Sequence, residues 1–536
     1  MENKRPFIYL PIFFALTLIL GIFLGTTLIP ALNGRGNLFS FKSNHYDKFN
    51  DVMNYIQNDY VDTINKNNLT EKSLNSLLQT LDPHSAYISA DEFNDVNDPL
   101  MGNFDGIGVQ FRVIHDTITV LNTVPGGPSE KLGILGGDRI VKIDGKNAAG
   151  VKIKDVDVMK RLKGKRGTTV NVNIYRKSEK KYYDFAITRN VIPTNAVDYS
   201  YMVNQNIGYI KLSKFSASTF DEIDAALSKM TKQGMTKLIF DMRGNGGGYL
   251  DAAINIADEF LSAKKLIVYT EGSHRPKKSY YATSDGLFEN NDLVILIDEF
   301  SASATEIVSG AIQDNDRGTI IGRRSFGKGL VQEQIQLGDG SAIRLTVARY
   351  HTPTGRCIQK PYSGDYEKYY MDFYKRLVED EAEAMDSVNL ADTIKYKTPG
   401  GKIVYGGGGI MPDIYVPYKT EFLSDYYRKI LNKGLIYDFG FDYADNHRKF
   451  LRCYINARKY LLEFSVTPAI FQEFIAFAEK NGIKRDDEGI KAAETTLKAL
   501  IKGAIGRNIF DDAAYYPAVL PADKVFEKAV EVLNHK

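Results

Sequence analysis

Leu293-Val-Ile-Leu-Ile-Asp-Glu-Phe-Ser-Ala-Ser-Ala-Thr-Glu306 is the stretch whose reading decides the fold. Its first five residues are a continuous apolar run, the pattern of a strand buried on both faces. The residues after it predict a helix with Ala304, Ile307, Val308, Ala311 and Ile312 on one face. Ser303 then sits at or beside the helix N-terminus, where backbone N–H groups lack intrahelical partners and the dipole is positive. Both features stabilise the oxyanion formed when a serine attacks a carbonyl. Ser303-x-x-Glu306 reads equally as a capping box with a structural role.

Outward from this stretch, residues 191–360 alternate between strand and helix. Strands are expected at 237–242, 265–269, 318–321, 330–337 and 342–350, and a helix at 249–262. Arg243-Gly-Asn-Gly-Gly-Gly248 joins strand to helix, either as an anion-binding run of N–H groups or as a tight turn that needs glycine. The pattern predicts an α/β core with a largely parallel sheet.

A nucleophilic serine needs a base. None of the seven histidines lies in a recognisable triad motif, and no Gly-x-Ser-x-Gly elbow surrounds a candidate serine. Lysine is the alternative, provided burial lowers its pKa from about 10.4 toward 7. Lys328 lies in Ser325-Phe-Gly-Lys-Gly329, between glycines and beside apolar Phe326 and Leu330. If the strand has begun by Lys328, alternation brings Gln332 to the same face, where its amide can orient the amine. A solvated glycine turn is the plain alternative. Gly322-Arg-Arg-Ser-Phe-Gly-Lys-Gly329 also imitates a phosphate-binding loop, but Gly329 stands where Ser or Thr should bind magnesium, and a hairpin pattern follows instead of a helix.

Residues 99–190 change character. Gly106-Ile-Gly-Val-Gln-Phe111 is a glycine-opened strand, Pro128-Ser-Glu-Lys-Leu-Gly133 a short helix, and Asp138-Arg-Ile-Val-Lys-Ile-Asp-Gly145 a strand entering a turn. With a helix at 151–162 and a strand at 169–175, this is a compact domain of short strands and two helices. Residues 361–394 read as charged, Tyr-rich helix. Residues 420–536 read as amphipathic helix, for example Ile470, Phe474, Phe477 and Ile490, Ala493, Leu497, with no evident chemistry.

The chain has 536 residues, 43% apolar and 25% charged, which predicts several ordinary globular domains. A net charge of +2 without a long basic run gives no sign of a nucleic-acid partner. Cys357 and Cys453 make neither a disulfide framework nor a zinc site, and no metal or cofactor is expected. Lys4 and Arg5 precede an uncharged stretch at 7–32, long enough to span a bilayer. An uncleaved anchor is preferred over a removed signal peptide, because no small-x-small cleavage site follows. Residues 33–44 read as a linker, and 45–98 as a small helical segment.

Taken together, the motifs resemble the C-terminal processing peptidases, also called tail-specific proteases, over most of residues 45–420. The pieces come in family order. They are Leu81-Asp-Pro-His-Ser85, Gly106-Ile-Gly-Val109, Pro125-Gly-Gly-Pro128, Gly136 with Asp138, Asp241-Met-Arg-Gly-Asn-Gly-Gly-Gly248, Ser301-Ala-Ser-Ala-Thr-Glu306, Phe326-Gly-Lys-Gly-Leu-Val-Gln332, Arg349-Tyr-His-Thr-Pro-Thr-Gly355 and Gly409-Ile-Met-Pro-Asp413.

The resemblance implies a serine endopeptidase with Ser303 as nucleophile, Lys328 as general base and Gln332 assisting it. It implies an oxyanion hole from the N–H of Ala304 and one N–H of the glycine run, Gly247 or in the neighbouring register Gly248. It implies a crotonase-like α/β core with an inserted PDZ domain that binds substrate C-termini at Gly106, Ile107, Gly108 and Val109. The expected division is anchor 1–32, linker and helical segment 33–98, PDZ domain 99–190, protease core 191–420 and C-terminal helical domain 421–536. The expected partners are proteins and peptides with accessible C-termini, and the membrane through the anchor, with room for a homo-oligomer or an adaptor. The expected place is the cytoplasmic membrane, with the catalytic body on the periplasmic side. A binding protein on the same scaffold and a Ser–His–Asp hydrolase of another fold are the competing readings.

Overall fold

The computed structural model describes residues 10–32, 48–378, 394–417 and 424–535. The expected linker, the basic residues before the apolar stretch and part of the Tyr-rich helix lie outside the described residues. Met1–Ser73 and Leu74–Lys536 are two compact units.

In the first unit a helix runs over Leu10–Leu32, within the apolar stretch, and a second over Lys48–Asp59. Pro11–Leu24 within it is a shorter apolar helix, and among the described residues no single helix is long and apolar enough to cross a membrane.

In the second unit the central sheet has six strands in the order Val197–Met202, Ile207–Leu212, Lys237–Asp241, Asp292–Ile297, Thr319–Gly322 and Ile414–Tyr415. The first pair is antiparallel and the other four pairings are parallel. The run Leu293–Ile297 lies in the middle and every residue in it is buried. Alternation sorts its side chains. Leu293, Ile295 and Ile297 face the helices Thr219–Lys232, Leu250–Asp258 and Ala304–Asp314. Val294 and Leu296 face Leu520, Val525, Phe526, Ala529 and Leu533 from the C-terminal end of the chain. The two-sided burial expected from the apolar run is therefore completed by a helix, Lys524–His535, whose role is not evident from its own residues.

A second sheet of five strands is antiparallel and includes Leu266–Gly272, Leu330–Gln336 and Ala342–His351. It also takes Ala86–Ile88 from the segment expected to be helical, paired with Arg344, Ile343 and Ala342. A three-residue strand is too short to show a period of two, which is why the segment reads as helix.

The expected PDZ domain is a six-stranded antiparallel sheet with helices Pro128–Lys131 and Asp155–Leu162 around a core that includes Ile118, Val120, Ile140, Val158 and Val172. Its entering strand, Asn103–Gly106, pairs antiparallel with its leaving strand, Asn190–Pro193. The domain is thus hung from a two-stranded ribbon.

Helices from Asp425 to His535 form the C-terminal region. Side chains of Ser424, Asn456, Thr467 and Asp486 cap four of them by accepting first-turn N–H groups. The expected apolar faces are inside: Phe474, Ile490, Ala493 and Leu497 are buried, and Ile470 and Phe477 pack against them.

Candidate active site

The strand Asp292–Ile297 leaves the sheet through a turn pinned by Ser301, whose buried hydroxyl accepts the Asp298 N–H at 3.0 Å and donates to the Met242 carbonyl at 3.0 Å. Ser303 follows at φ 56°, ψ −113°, a backbone conformation that costs a non-glycine residue about 1–3 kcal/mol. An ordinary N-cap is extended, so this is a sharper turn than capping alone requires. The helix Ala304–Asp314 begins at the next residue, so the Ala304 N–H has no acceptor within the helix.

Glu306 does more than close a capping box. Its carboxylate is fully buried and accepts the N–H of Ser303 at 2.8 Å, of Gly327 at 2.7 Å and of Lys328 at 2.9 Å, together with the Ser325 hydroxyl. Ser303 and Lys328 donate to the same oxygen, Oε2. Burial pushes the Glu306 carboxyl up, and its four donors pull it part of the way back. Tyr350 ties the same two residues from the other side, its hydroxyl lying 3.2 Å from the Ser303 carbonyl and 2.8 Å from that of Lys328. One acid and one phenol thus hold the two backbone positions side by side.

Lys328 donates from Nζ to Gln332 Oε1 at 3.0 Å. The strand begins at Leu330, not at Lys328, and the ladder with Ala342–His351 slips between Val331 and Gln332. The expected contact is made, but through this irregularity instead of simple alternation. Gln332 in turn donates from Nε2 to the His84 carbonyl at 2.5 Å. That acceptor settles which end of the amide faces the amine. Burial lowers the Lys328 pKa, and the Arg344 charge lowers it further, against the opposing pull of Glu306 and Asp82. Burial also holds the His84 imidazole neutral to a pKa of about 3, with the Lys328 charge as the second cause.

His84 belongs to the Leu81-Asp-Pro-His-Ser85 stretch, whose part in the site is not evident from sequence. Asp82 organises it by accepting the N–H groups of His84 and Ser85, each at 2.8 Å, and the Ser85 hydroxyl at 2.6 Å. Ser85 Oγ accepts the Thr346 N–H at 3.1 Å, fixing the turn to the second sheet.

The glycine run lies against the serine. Gly247 has φ 99°, and a Cβ there would come within 2.9 Å of both the Ser303 Cβ and the Ala304 nitrogen, so only glycine fits. Its N–H donates to Asn245 Oδ1 at 2.9 Å. The structure brings Ser303, Ala304, Lys328, Gln332 and Gly247 together, with the Gly247 N–H committed within its own loop. The loop that imitates a phosphate site runs from Gly322 into the strand Leu330–Gln336, with no helix to bind phosphate. Among the described residues no group of His, Cys, Asp and Glu could hold a metal ion.

A concavity of about 530 Å³ opens on the PDZ domain beside Gly106, Ile107, Gly108 and Val109. Met159 and Leu162 of the domain's longer helix line it, as does Lys163, which bridges to Asp95 and Asp98 at 3.0 Å each. The Ile107 side chain is buried and belongs to the domain core.

The family models and the curated relatives agree with this architecture. Residues 206–367 match the model of peptidase family S41, residues 106–187 that of the PDZ domain, and residues 426–511 a family of unknown function. A carboxy-terminal-processing protease of Bartonella bacilliformis is 35% identical over 348 residues, covering 63% of this chain and 78% of that protein. The carboxy-terminal processing protease CtpA of Bacillus subtilis is 31% identical, covering 59% of this chain and 67% of that protein. Among solved structures, a photosystem II D1 C-terminal processing protease is 29% identical with a TM-score of 0.35, covering 58% of this chain and 83% of that one. The chain belongs to the carboxy-terminal-processing proteases, PDZ-containing serine peptidases of family S41.

Proposed function

We propose that this protein is a membrane-anchored endopeptidase that cleaves proteins near their C-termini, with Ser303 as nucleophile and Lys328 as general base. The observation that carries the reading is the shared Glu306 oxygen, which sets a strained serine beside a lysine whose pKa is lowered by burial. The neutral amine of Lys328 takes the Ser303 Oγ proton as the oxygen attacks the peptide carbonyl. Gln332 receives one amine hydrogen and so aims the lone pair. The Ala304 N–H and one N–H of the glycine run hold the oxyanion. If that N–H is the one on Gly247, it must leave Asn245 as substrate binds; Gly248 is the neighbouring register. The resulting ammonium returns its proton to the departing amine, leaving an ester on Ser303. Water, deprotonated by the same lysine, hydrolyses that ester and frees the serine.

The substrate tail adds as a strand beside Val109–Ile114, its carboxylate held by the N–H groups of Gly106–Gly108. The apolar stretch at 7–32, with Lys4 and Arg5 before it, anchors the body on the periplasmic side of the cytoplasmic membrane. Recovery of the full chain in the carbonate-washed membrane pellet checks the anchor, and release into the wash argues against it.

The deciding experiment is proteolysis of an unstructured reporter with an apolar C-terminus by wild type, Ser303→Ala and Lys328→Ala. Cleavage by wild type alone, with all three folded alike, supports the dyad. Full activity in Lys328→Ala removes the base assignment, and binding without cleavage by wild type favours a binding protein on the same scaffold.

A further inference from the structure

The C-terminal helical domain touches the rest of the protein through two surfaces of different chemistry. Against the protease core the contact is mainly apolar, with one largely buried ion pair, Arg243 to Asp523 at 2.7 Å, and a hydrogen bond from the Tyr516 hydroxyl to Asp198 at 3.2 Å. Leu520, Val525, Phe526, Ala529 and Leu533 share one continuous hydrophobic cluster with the strands of the central sheet. Tyr516 stacks on Tyr199 there, with centroids 5.7 Å apart.

Against the PDZ domain the contact is ionic. Helix Leu435–Leu451 carries Asp438, Asp442 and Asp445, spaced to lie on one face. Opposite them stand four PDZ residues from separate strands and turns. Arg112 pairs with Asp438 at 3.5 Å, and His115 lies 3.3 Å from Asp442. Arg139 and Lys177 both reach Asp445, at 2.9 and 2.8 Å. Asn122 adds a hydrogen bond to Asp511 at 2.5 Å, and Arg448 lies across Gly137, where a Cβ would approach its guanidinium to 3.1 Å. The hydrophobic cores of the PDZ domain and of the helical domain are separate clusters with no residue in common.

We propose that the segment matching a family of unknown function, residues 426–511, is a docking platform for the PDZ domain, which it holds to the protease core through the acidic face of helix Leu435–Leu451. Two features make such a clamp necessary. The PDZ domain hangs from the ribbon of Asn103–Gly106 and Asn190–Pro193, which restrains rotation weakly. Its other tether to the core side is also ionic, from Lys163 to Asp95 and Asp98. A clamp made of charges is reversible: at 1 M salt the screening length is about 3 Å, against about 10 Å at 0.1 M. The core contact, made by the helices that follow the segment, is mostly a continuous apolar cluster with one largely buried ion pair, and is far less sensitive to screening, so the platform stays on the core while the PDZ domain comes and goes.

The test uses the full chain in detergent with Cys357→Ala and spin labels on the native Cys453 and on Lys181→Cys, a platform-to-PDZ pair on exposed positions. A second pair, Cys453 with Lys232→Cys, reports platform-to-core. At low salt, wild type is expected to show one narrow platform-to-PDZ distance, with a second, longer population appearing at 1 M sodium chloride. The triple variant Asp438→Asn, Asp442→Asn, Asp445→Asn is expected to show the longer population at both salt levels. The platform-to-core distance should stay unchanged in every case, which also shows that the variant folds. A triple variant that keeps the narrow distance at both salt levels overturns the proposal, as does a platform-to-core distance that lengthens with salt alongside the other. These readouts do not depend on peptidase activity, so the proposal stands or falls apart from the catalytic assignment.

Discussion

Two groups of charges in this protein do opposite things because water reaches one and not the other. Around Ser303 and Lys328, the Glu306 carboxylate is fully buried and saturated with donors, most of them from the backbone. Around helix Leu435–Leu451, acids and bases meet across a partly wet seam: the Arg112 and Asp438 side chains are 37% and 28% exposed, although Asp445 is 7% exposed. A buried charge without partners costs far more than a surface pair returns, so the first group is obligatory and rigid while the second is optional and adjustable. The site should therefore answer to pH and to loss of single atoms, and the dock to salt.

The largest effect belongs to the amine. Under the proposed general-base role, Lys328→Ala should lower kcat by about 10³-fold or more with the melting temperature nearly unchanged. Single-turnover cleavage beside a thermal melt checks this.

Glu306→Ala should be the most destabilising change in the site. It leaves three N–H groups and a hydroxyl without their acceptor, a loss of about 3–5 kcal/mol in total. Denaturant unfolding reads it directly. A loss under about 1 kcal/mol would mean that water replaces the carboxylate and that the two regions differ less than their burial suggests.

Acid should act on the site through His84. Its pKa is about 3 in the fold and near 6.5 in the unfolded chain, so the unfolded state binds the extra proton between those values. Stability is then highest above pH 6.5 and falls as the pH drops toward about 3, by at most about 5 kcal/mol. Thermal melts across that range read the loss. His84→Asn should flatten that part of the profile while leaving the salt response of the dock as it was.

A smaller effect comes from Arg344, whose charge helps to lower the Lys328 pKa. Activity should rise with pH as the amine deprotonates, and Arg344→Gln should move that limb to higher pH by less than about one unit. The mildest change per interaction is at the dock. The triple Asp→Asn variant should cost about 1 kcal/mol or less at each of the exposed Asp438 and Asp442 pairs in global unfolding, and more at Asp445, whose side chain is 7% exposed, although it frees the PDZ domain.

What residue patterns alone make legible divides along the same line. Ser303 and Lys328 stand out because each sits in a short motif with local reasons for its conformation. The gap of 22 residues between Glu306 and Lys328 hides the link between them, so Glu306 reads only as a cap. The hold of His84 on Gln332 crosses 248 residues and uses a backbone carbonyl, which no side-chain pattern announces. The contact from Lys328 to Gln332 follows from their spacing, but the slip in the ladder that permits it depends on the partner strand. The Gly247 N–H, expected at the oxyanion, is held by Asn245, two residues before it in the same loop, a hydrogen bond that residue types alone do not reveal.

By itself the sequence determined the elements whose cause is local: the apolar strand Leu293–Ile297, the helix that follows the serine, the glycine turns, the amphipathic helices and the family that these motifs mark. Tertiary structure alone decided what covers the second face of the central sheet, what aims the Lys328 amine, and which way the acids of helix Leu435–Leu451 point. Those outcomes depend mostly on partners far away along the chain. Periodicity shows that a face must be covered or a charge paired, but only the folded chain brings up the surface that does so.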